Sequence, residues 1–520
     1  MTITDVPVGL APRVQVVPAP PAVRPFPWPA AALAAALVVG VMFRLTAFAS
    51  DRPLWIDEAM IALNLTDRDV GQLFEPLDRH QSAPVAFLLA GKLCVTLFGP
   101  TDHALRLPAL AGSLLGLAAF AVAAVRLLPV WTARLAVLLF AVSPTVVSYA
   151  AEVKQYSTDA AVAAGLLALS APLLRAPTRG RLIALAVGGA AAVWASHPAV
   201  FVLATVGVVL FVRSLRRKEH RVAVVLVGCA WAASFAAVYQ LNVRFGVNNG
   251  FLTDFWADQF LPLSPSAGPW VVEHIAGFFD SAGGFGGPML NAGGLAAVLA
   301  AVGAVAMWER QRAEVLTLLG VFVAVLLASA LHKYPFVGRL LLFLVPVGVL
   351  LVAAGAGAVV GAVWRRSKVG AVVIAAAVAV APAAESVRQF RHPDRHEDLP
   401  AAIRFVKGRW QPGDRLYVYN GRGDQGAGPA FAFYSRTDPF PPEAVTLGGS
   451  HRADVRGYSA EVNKLAASPG RVWVLFSHQH ADEEATIRAY LDAVADRGDQ
   501  FRDPATGRGP RAAAVLYTVR

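Results

Sequence analysis

From residue 30 to residue 384 the chain alternates long apolar runs with short polar gaps. A membrane-crossing helix needs about 20 predominantly apolar residues. The pattern predicts eleven spans, at 30–48, 104–127, 131–149, 157–175, 181–196, 198–213, 221–240, 291–308, 314–331, 337–363 and 368–384. Beyond Glu385 charge becomes dense and the apolar runs shorten to strand length. Leu416–Tyr419, Val472–Phe476 and Ala512–Val519 predict buried strands; Leu399–Lys407 and Glu483–Val494 predict amphipathic helices. The expected fold is an α-helical polytopic membrane protein of about 11 transmembrane helices (30–384) carrying a small C-terminal α/β extracytoplasmic domain (393–520). The Pro-rich stretch 1–29 shows no periodicity and is expected to be a disordered cytoplasmic tail.

The run at 83–98 is ambiguous. Counting it as a twelfth span inverts the side of every later loop, so the basic residues decide. Five connections hold fifteen Lys and Arg: Arg126 and Arg134; Arg175, Arg179 and Arg181; Arg213, Arg216, Arg217, Lys218 and Arg221; Arg310 and Arg312; Arg365, Arg366 and Lys368. The opposite connections, 150–156, 196–198 and 332–339, hold three: Lys154, Lys333 and Arg339. Cytoplasmic loops carry the Lys and Arg excess. All five basic connections fall inside only if 83–98 does not cross. That run is therefore expected as a helix along the outer interface, with Lys92 snorkelling. The N-terminus is then cytoplasmic, and the loops 49–103 and 241–290 and the C-terminal domain lie on the periplasmic side of the cytoplasmic (inner) membrane.

Composition agrees with a membrane protein: 56% of residues are hydrophobic, 16% are charged and the mean hydropathy is +0.52, against about 25% charged in soluble chains. The net charge of +11 does not imply nucleic acid, because the basic residues cluster between spans. Cys94 and Cys229 both lie in apolar runs and read as small core residues rather than a disulfide or metal site.

The outer side collects the unusual polar residues. Asp57 and Glu58 come after the first span in DRPLWIDEAM, and a carboxylate pair at a membrane boundary is a functional hypothesis by default. The same side receives His80 and Gln81, Asp102, His103 and Arg106. It also receives a second acidic cluster, Glu152 and Asp159, with Lys154 and Tyr156 between them, then His197, and Lys333, Tyr334 and Arg339. The loop 241–290 adds Phe255, Trp256, Phe260 and Trp270, as an interfacial platform or a plain aromatic belt. An acceptor hydroxyl needs one carboxylate as base, and a phosphate leaving group is suited by a Lys point charge and an Arg fork. Interfacial anchoring explains Lys333 and Arg339 equally well in isolation. Together the set fits displacement of a lipid phosphate from a sugar. On a helix beginning near Asp57, adjacent side chains point about 100° apart, so Asp57 and Glu58 do not face one atom. Two further motifs read blandly. Gly421–Gly426 matches G-x-G-x-x-G but is a glycine turn, since the segment after it is too short and too Pro-rich for a dinucleotide unit. His478, His480 and Asp482 have metal-like spacing but read as a strand-end loop.

Over residues 28–384 the chain resembles the GT-C glycosyltransferases of the protein O-mannosyltransferase and aminoarabinose transferase type (glycosyltransferase family 39-like). The resemblance rests on an ordered series: Asp57-Glu58, HQSAP at His80–Pro84, Arg106-Leu107-Pro108, Ser143–Ser157, His197-Pro198, and Lys333-Tyr334 with Arg339. It implies a periplasm-facing active site, a polyprenyl-phosphate-linked sugar as donor, and a glycan, lipid or protein acceptor. It further implies inverting transfer for which a divalent cation (Mg, Mn or Ca) is optional. Asp57 would be the general base with Glu58 supporting it, and Lys154, Tyr156, Lys333, Tyr334 and Arg339 would hold the donor phosphate and lipid. An interfacial helix in the first loop is also implied. Lys154 stands where many relatives carry Arg, and Asp159 matches the second acid only approximately. The rival class, a transporter or flippase of lipid-linked glycans, predicts repeats in matching halves; none is visible.

Overall fold

The computed structural model describes residues 28–217, 220–287, 291–392, 397–423, 425–451, 454, 456–480, 482–503 and 511–520. The tail expected at 1–29 falls, up to residue 27, outside the described residues. In chain order the helices are α1 (Trp28–Ala49), α2 (Ile56–Asp67), α3 (Val85–Phe98), α4 (Asp102–Leu127), α5 (Val130–Ala141), α6 (Pro144–Ser148), α7 (Tyr156–Arg175), α8 (Arg179–Ala195), α9 (Ala199–Arg217), α10 (Arg221–Val238), α11 (Arg244–Val247), α12 (Gly250–Phe255), α13 (Ala267–Asp280), α14 (Gly293–Trp308), α15 (Arg312–Ala330), α16 (Val345–Trp364) and α17 (Lys368–Arg391). Among the described residues, α1, α4, α7, α9, α10, α15, α16 and α17 are long and apolar enough to cross a membrane. The protein is a multi-pass membrane protein. The runs expected to cross at 181–196 and 291–308 form α8 and α14, of 17 and 16 residues.

The run expected as one span at 131–149 is broken: α5 and the next turn of helix are bent by 51°. Pro144 opens α6 and has no amide to continue α5's ladder. The break exposes carbonyls that lipid cannot satisfy. Arg44 of α1, wholly buried, answers them. It donates to Ala141 O at 3.1 Å and Phe140 O at 3.4 Å, and to Ser113 Oγ of α4 at 2.9 Å. Elsewhere the bundle closes by small residues. A Cβ on Gly303 would come within 2.0 Å of Leu351 O, and one on Gly355 within 1.9 Å of Leu299 O. So α14 and α16 touch backbone to backbone.

The helix expected at 83–98 is α3, 14 residues long. That is about 21 Å at 1.5 Å per residue, short of a roughly 30 Å hydrocarbon core. Val85, Phe87, Leu88 and Gly91 are buried against the protein, while Leu93, Leu97 and Phe98 are exposed. Lys92 does not snorkel outward. Its Nζ donates to Leu65 O at 2.9 Å and Arg68 O at 2.5 Å, because the last carbonyls of α2 lack intrahelical partners and attract a cation.

The C-terminal residues form α18 (Leu399–Lys407), β1 (Arg415–Val418), α19 (Gly428–Tyr434), β2 (Val445–Leu447), α20 (Arg456–Ala466), β3 (Gly470–Phe476), α21 (Glu483–Asp492), β4 (Ala495–Arg502) and β5 (Ala513–Val519). The sheet runs β2-β1-β3-β5-β4, parallel across β2, β1 and β3 and antiparallel at β5 and β4. Both faces are buried, which is why β1, β3 and β5 read as continuous apolar runs. Tyr417, Val474 and Val515 pack under α20 and α21. Leu416, Val418, Trp473 and Leu475 share a second core with Ile403 of α18, Phe431 of α19, and Ile61, Leu63 and Leu65 of α2. The first loop and the C-terminal unit thus have one hydrophobic core in common, which the sequence did not suggest. Polar links fasten them: Tyr434 Oη accepts from Leu54 N at 2.5 Å and donates to Asp102 Oδ2 at 2.8 Å, and Arg436 reaches Thr66 and Asp67.

Candidate active site

Asp57 and Glu58 sit in the first turn of α2, where the helix dipole favours carboxylates. Their side chains diverge, as the 100° step requires. Glu58 turns inward and is 2% exposed. It accepts from Trp55 N at 3.0 Å, Val153 N at 2.8 Å, and Arg106 Nε and Nη2 at 3.1 Å each. Arg106, equally buried, also donates to Arg52 O at 2.7 Å and Pro53 O at 3.3 Å. Burial alone would push Glu58 up, but Arg106 and the two backbone amides outweigh it and hold the carboxyl below its usual range. The pair joins the chain before α2, the α4 helix and the turn before α7. Neither Glu58 nor Arg106 lines the cavity. Arg106, expected among the cavity residues, instead lies behind the wall, paired with Glu58.

Asp57 faces a cavity of about 710 Å³. Arg339, just before α16, forms an ion pair with it. The Arg339 guanidinium also lies over Trp55 (5.3 Å) and Tyr156 (6.0 Å), a planar cation held between rings. Lys154 Nζ donates to Gln81 Oε1 at 2.7 Å. Burial raises Asp57, yet Lys154 and Arg339 overcome it and keep the acid below its ordinary range. Burial pulls Lys154 down, Asp57 pushes it back, and Arg339 pulls it down again, leaving it below a solvated lysine.

The cavity wall also receives His80, Gln81, Lys154, Tyr156, Asp159, His197, Lys333 and Tyr334. His80 stacks on Phe251 of α12 with ring centres 4.3 Å apart. His197 Nε2 bonds Asn242 Oδ1 at 2.8 Å, and burial lowers it to about 4, so it serves as a neutral hydrogen-bonding group. Tyr334 Oη donates to Leu340 O at 2.7 Å. The second acidic cluster is split. Asp159 is in the wall and 4% exposed, and among the described residues its Oδ1 has no hydrogen-bond partner. Glu152 lies behind the wall and outside the lining. Burial and the neighbouring Glu58 charge push it up to about 7. Of the loop aromatics, Phe255, Trp256 and Phe260 line the cavity. Trp270 instead stacks on His274 at 3.6 Å, away from it.

Two lining residues come from the C-terminal unit, Gln425 and His478. Both fall in stretches whose sequence reads as bland, a glycine turn and a strand-end loop. Gln425 lies in the glycine turn after β1, which leads into α19, a helix of only seven residues. His478 comes just after β3; its ring centre is 5.9 Å from that of Trp55, and its Nδ1 is 3.0 Å from Glu397 Oε1. A backbone signal marks the rim. Six described non-glycine residues have left-handed φ, and Arg79 (60°), His80 (55°), His332 (53°) and His478 (52°) all line the cavity. Such strain of about 1–3 kcal/mol per residue concentrates at functional sites. Among the described residues no three His, Cys, Asp or Glu side chains converge as a metal-ligand group. Asp57 is engaged by Arg339 and Glu58 by Arg106.

The fold is similar to that of solved structures. ArnT of Cupriavidus metallidurans superimposes in its apo state with a TM-score of 0.52 at 15% identity, covering 94% of this chain and 97% of that one. Its undecaprenyl-phosphate-bound state gives 0.52 at 16%, covering 94% and 98%. The oligosaccharyltransferase AglB of Archaeoglobus fulgidus, in complex with an inhibitory peptide and a dolichol-phosphate, gives 0.50 at 12%, covering 93% and 74%. No protein-family model matches the chain, and no curated protein matches it in sequence. The chain has the GT-C fold.

Proposed function

We propose that this chain is a membrane glycosyltransferase that moves a sugar from a polyprenyl-phosphate donor to a hydroxyl acceptor on the outer face of the cytoplasmic membrane. The observation that carries the reading is the Asp57–Arg339 ion pair, with Lys154 beside it, in the wall of a large cavity whose lining is otherwise mostly apolar. A base and a phosphate clamp meet there, next to space for a lipid. The lipid phosphates held by ArnT and AglB suggest the donor class.

Asp57 takes the proton of the acceptor hydroxyl as that oxygen attacks the anomeric carbon. The bond from the anomeric carbon to the phosphate oxygen breaks, and its electron pair leaves on the phosphate. Arg339 has five N–H donors, enough to hold Asp57 and a phosphate oxygen together. Lys154 and Lys333 supply further positive charge to the departing phosphate. Trp55 and Tyr156 pack against the guanidinium and help to hold it at the wall.

The donor clamp is tested by undecaprenyl phosphate binding to the purified protein, followed by native mass spectrometry. Arg339→Lys turns a fork into a point charge and is expected to raise Kd about tenfold, a loss of about 1.4 kcal/mol. Unchanged binding in Arg339→Ala would return Arg339 to interfacial anchoring.

The same reading puts 49–103, 241–290 and the C-terminal unit outside the cell. With Cys introduced at Tyr490 and, separately, at Arg216, an impermeant maleimide on intact cells should label Tyr490→Cys and spare Arg216→Cys. The opposite pattern would place the cavity on the cytoplasmic side, out of keeping with the basic connections.

A further inference from the structure

The ends of β1 and β3 point toward the membrane cavity. In open sheets, ligands bind in the crevice outside the carboxyl ends of parallel strands. β1 and β3 are parallel neighbours, paired from Arg415–Val472 to Val418–Leu475, and Tyr419 N continues the ladder to Leu475 O at 2.9 Å. Both chains then turn through a left-handed non-glycine residue two positions beyond the strand, Asn420 (φ 46°) after β1 and His478 (φ 52°) after β3. Left-handed backbone is uncommon outside glycine, though Asn and His adopt it more readily than most, and it clusters at functional sites. The loops so formed place Gln425 and His478 in the cavity wall.

His478 is held in a set orientation. Glu397, buried, accepts from Ser477 Oγ at 2.7 Å and lies 3.0 Å from His478 Nδ1. The imidazole meets Trp55 edge to face. Trp55 is two residues before Asp57 and carries the Arg339 guanidinium over its ring. A chain of fixed contacts therefore runs from Glu397 through His478 and Trp55 to the residues that handle proton and phosphate. A carboxylate that fixes one ring nitrogen sets the tautomer and aim of the other.

We infer that the carboxyl end of β1 and β3 is the acceptor subsite, in which His478, held by Glu397, binds a hydroxyl of a carbohydrate acceptor beside Asp57. This rests on the glycosyltransferase reading and adds the acceptor's class and its binding residues. An aromatic ring flanked by amide and imidazole hydrogen-bonding groups suits a sugar, which presents an apolar C–H face and a hydroxyl edge. A peptide adding as a strand needs a free sheet edge, but the edges are β2 and β4, and the subsite lies at the ends of the central strands. His478 acts on the acceptor's position; the proton still goes to Asp57.

The test uses the full-length protein in lipid nanodiscs with a panel of undecaprenyl-phosphate-linked hexoses and pentoses. Acceptors are octyl glycosides and, in parallel, a Ser/Thr-containing peptide; water hydrolysis of the donor is measured in every case. Wild-type protein is expected to transfer to glycosides. In His478→Ala the ratio of transfer to hydrolysis should fall at least tenfold, through a higher KM for the glycoside. His478→Gln, which keeps a planar hydrogen-bonding group, should recover part of it, and Glu397→Gln should fall between. The thermal midpoint of each variant checks folding. An unchanged ratio in His478→Ala, or no recovery in His478→Gln at equal thermal midpoint, overturns the role of His478. Wild-type transfer to the peptide alone, or to neither acceptor, overturns the carbohydrate class. Failure of wild-type protein to release undecaprenyl phosphate from any donor overturns the glycosyltransferase reading itself, and this inference with it.

Discussion

Replacing Asp57 with Asn is expected to abolish sugar transfer while sparing the donor lipid. The substitution keeps shape and hydrogen bonding but removes the basicity, and a positioned base is worth about 10²–10⁴-fold in rate. Asp57 is the acid whose side chain both lines the cavity and sits against a cation. Arg339 and Lys154 hold it below the usual carboxylate range, so it is ionised at neutral pH and ready to accept a proton. In Asp57→Asn, Arg339 loses its anionic partner and turns more fully to a phosphate, so undecaprenyl phosphate should bind as well as before or more tightly. The measurement pairs sugar release from a polyprenyl-phosphate donor with lipid binding on the same preparation. Near-normal transfer would remove Asp57 from the mechanism. Asp159 would then be the better base, since it lies in the same wall and Glu152 does not.

A different kind of loss is expected one residue on. Glu58→Gln should destabilise the folded protein by about 3–5 kcal/mol, the usual cost of breaking a buried pair from one side. Arg106 would keep its charge at 2% exposure with only neutral oxygens for partners, the new side-chain amide and the carbonyls of Arg52 and Pro53. The amides of Trp55 and Val153, which now reach a carboxylate, would meet a weaker acceptor. Because Glu58 joins α2 to α4 and to the turn before α7, Asp57 would also lose its aim. Replacing both partners, Glu58→Gln with Arg106→Met, should restore part of the stability, because the uncompensated cation is gone. Thermal unfolding of the two purified variants in detergent decides the matter. Wild-type stability in Glu58→Gln with transfer lost would mean that Glu58 acts in the chemistry after all.

The contrast between these neighbours shows how far the sequence reaches. Helical geometry told that Asp57 and Glu58 diverge; it did not tell which one faces the cavity. That was settled by Arg106 in α4 and Val153 before α7, both far along the chain. The apolar runs fixed the bundle's helices because lipid leaves the backbone no other way to bond itself. From the bias of Lys and Arg between runs the acids and cations were expected on one side, and Asp57, Lys154, Asp159, Lys333 and Arg339 do line one cavity. The buried strands β1, β3 and β5 were legible because both faces of the sheet are covered. By contrast β4, ADRGDQFR, carries no apolar run and was not among the expected strands. It is an exposed edge whose charges guard its open side, and its strand form comes from pairing with β5 rather than from its own residues.

What the sequence determined by itself was therefore whatever rests on local periodicity and on solvation: which stretches form long apolar helices, where polar residues collect, and the strands covered on both faces. What only the tertiary structure decided was every property that rests on distant partners. Lys92 became a cap for α2 instead of a headgroup anchor because the end of α2 lies beside it. Arg44 could stay in the bundle because a broken helix offered its carbonyls. His478 entered the cavity because the first loop and the C-terminal sheet share one core, which brings β3's end against Trp55. Side-chain periodicity records the face a residue presents within its own element; it holds no record of which other element will cover that face.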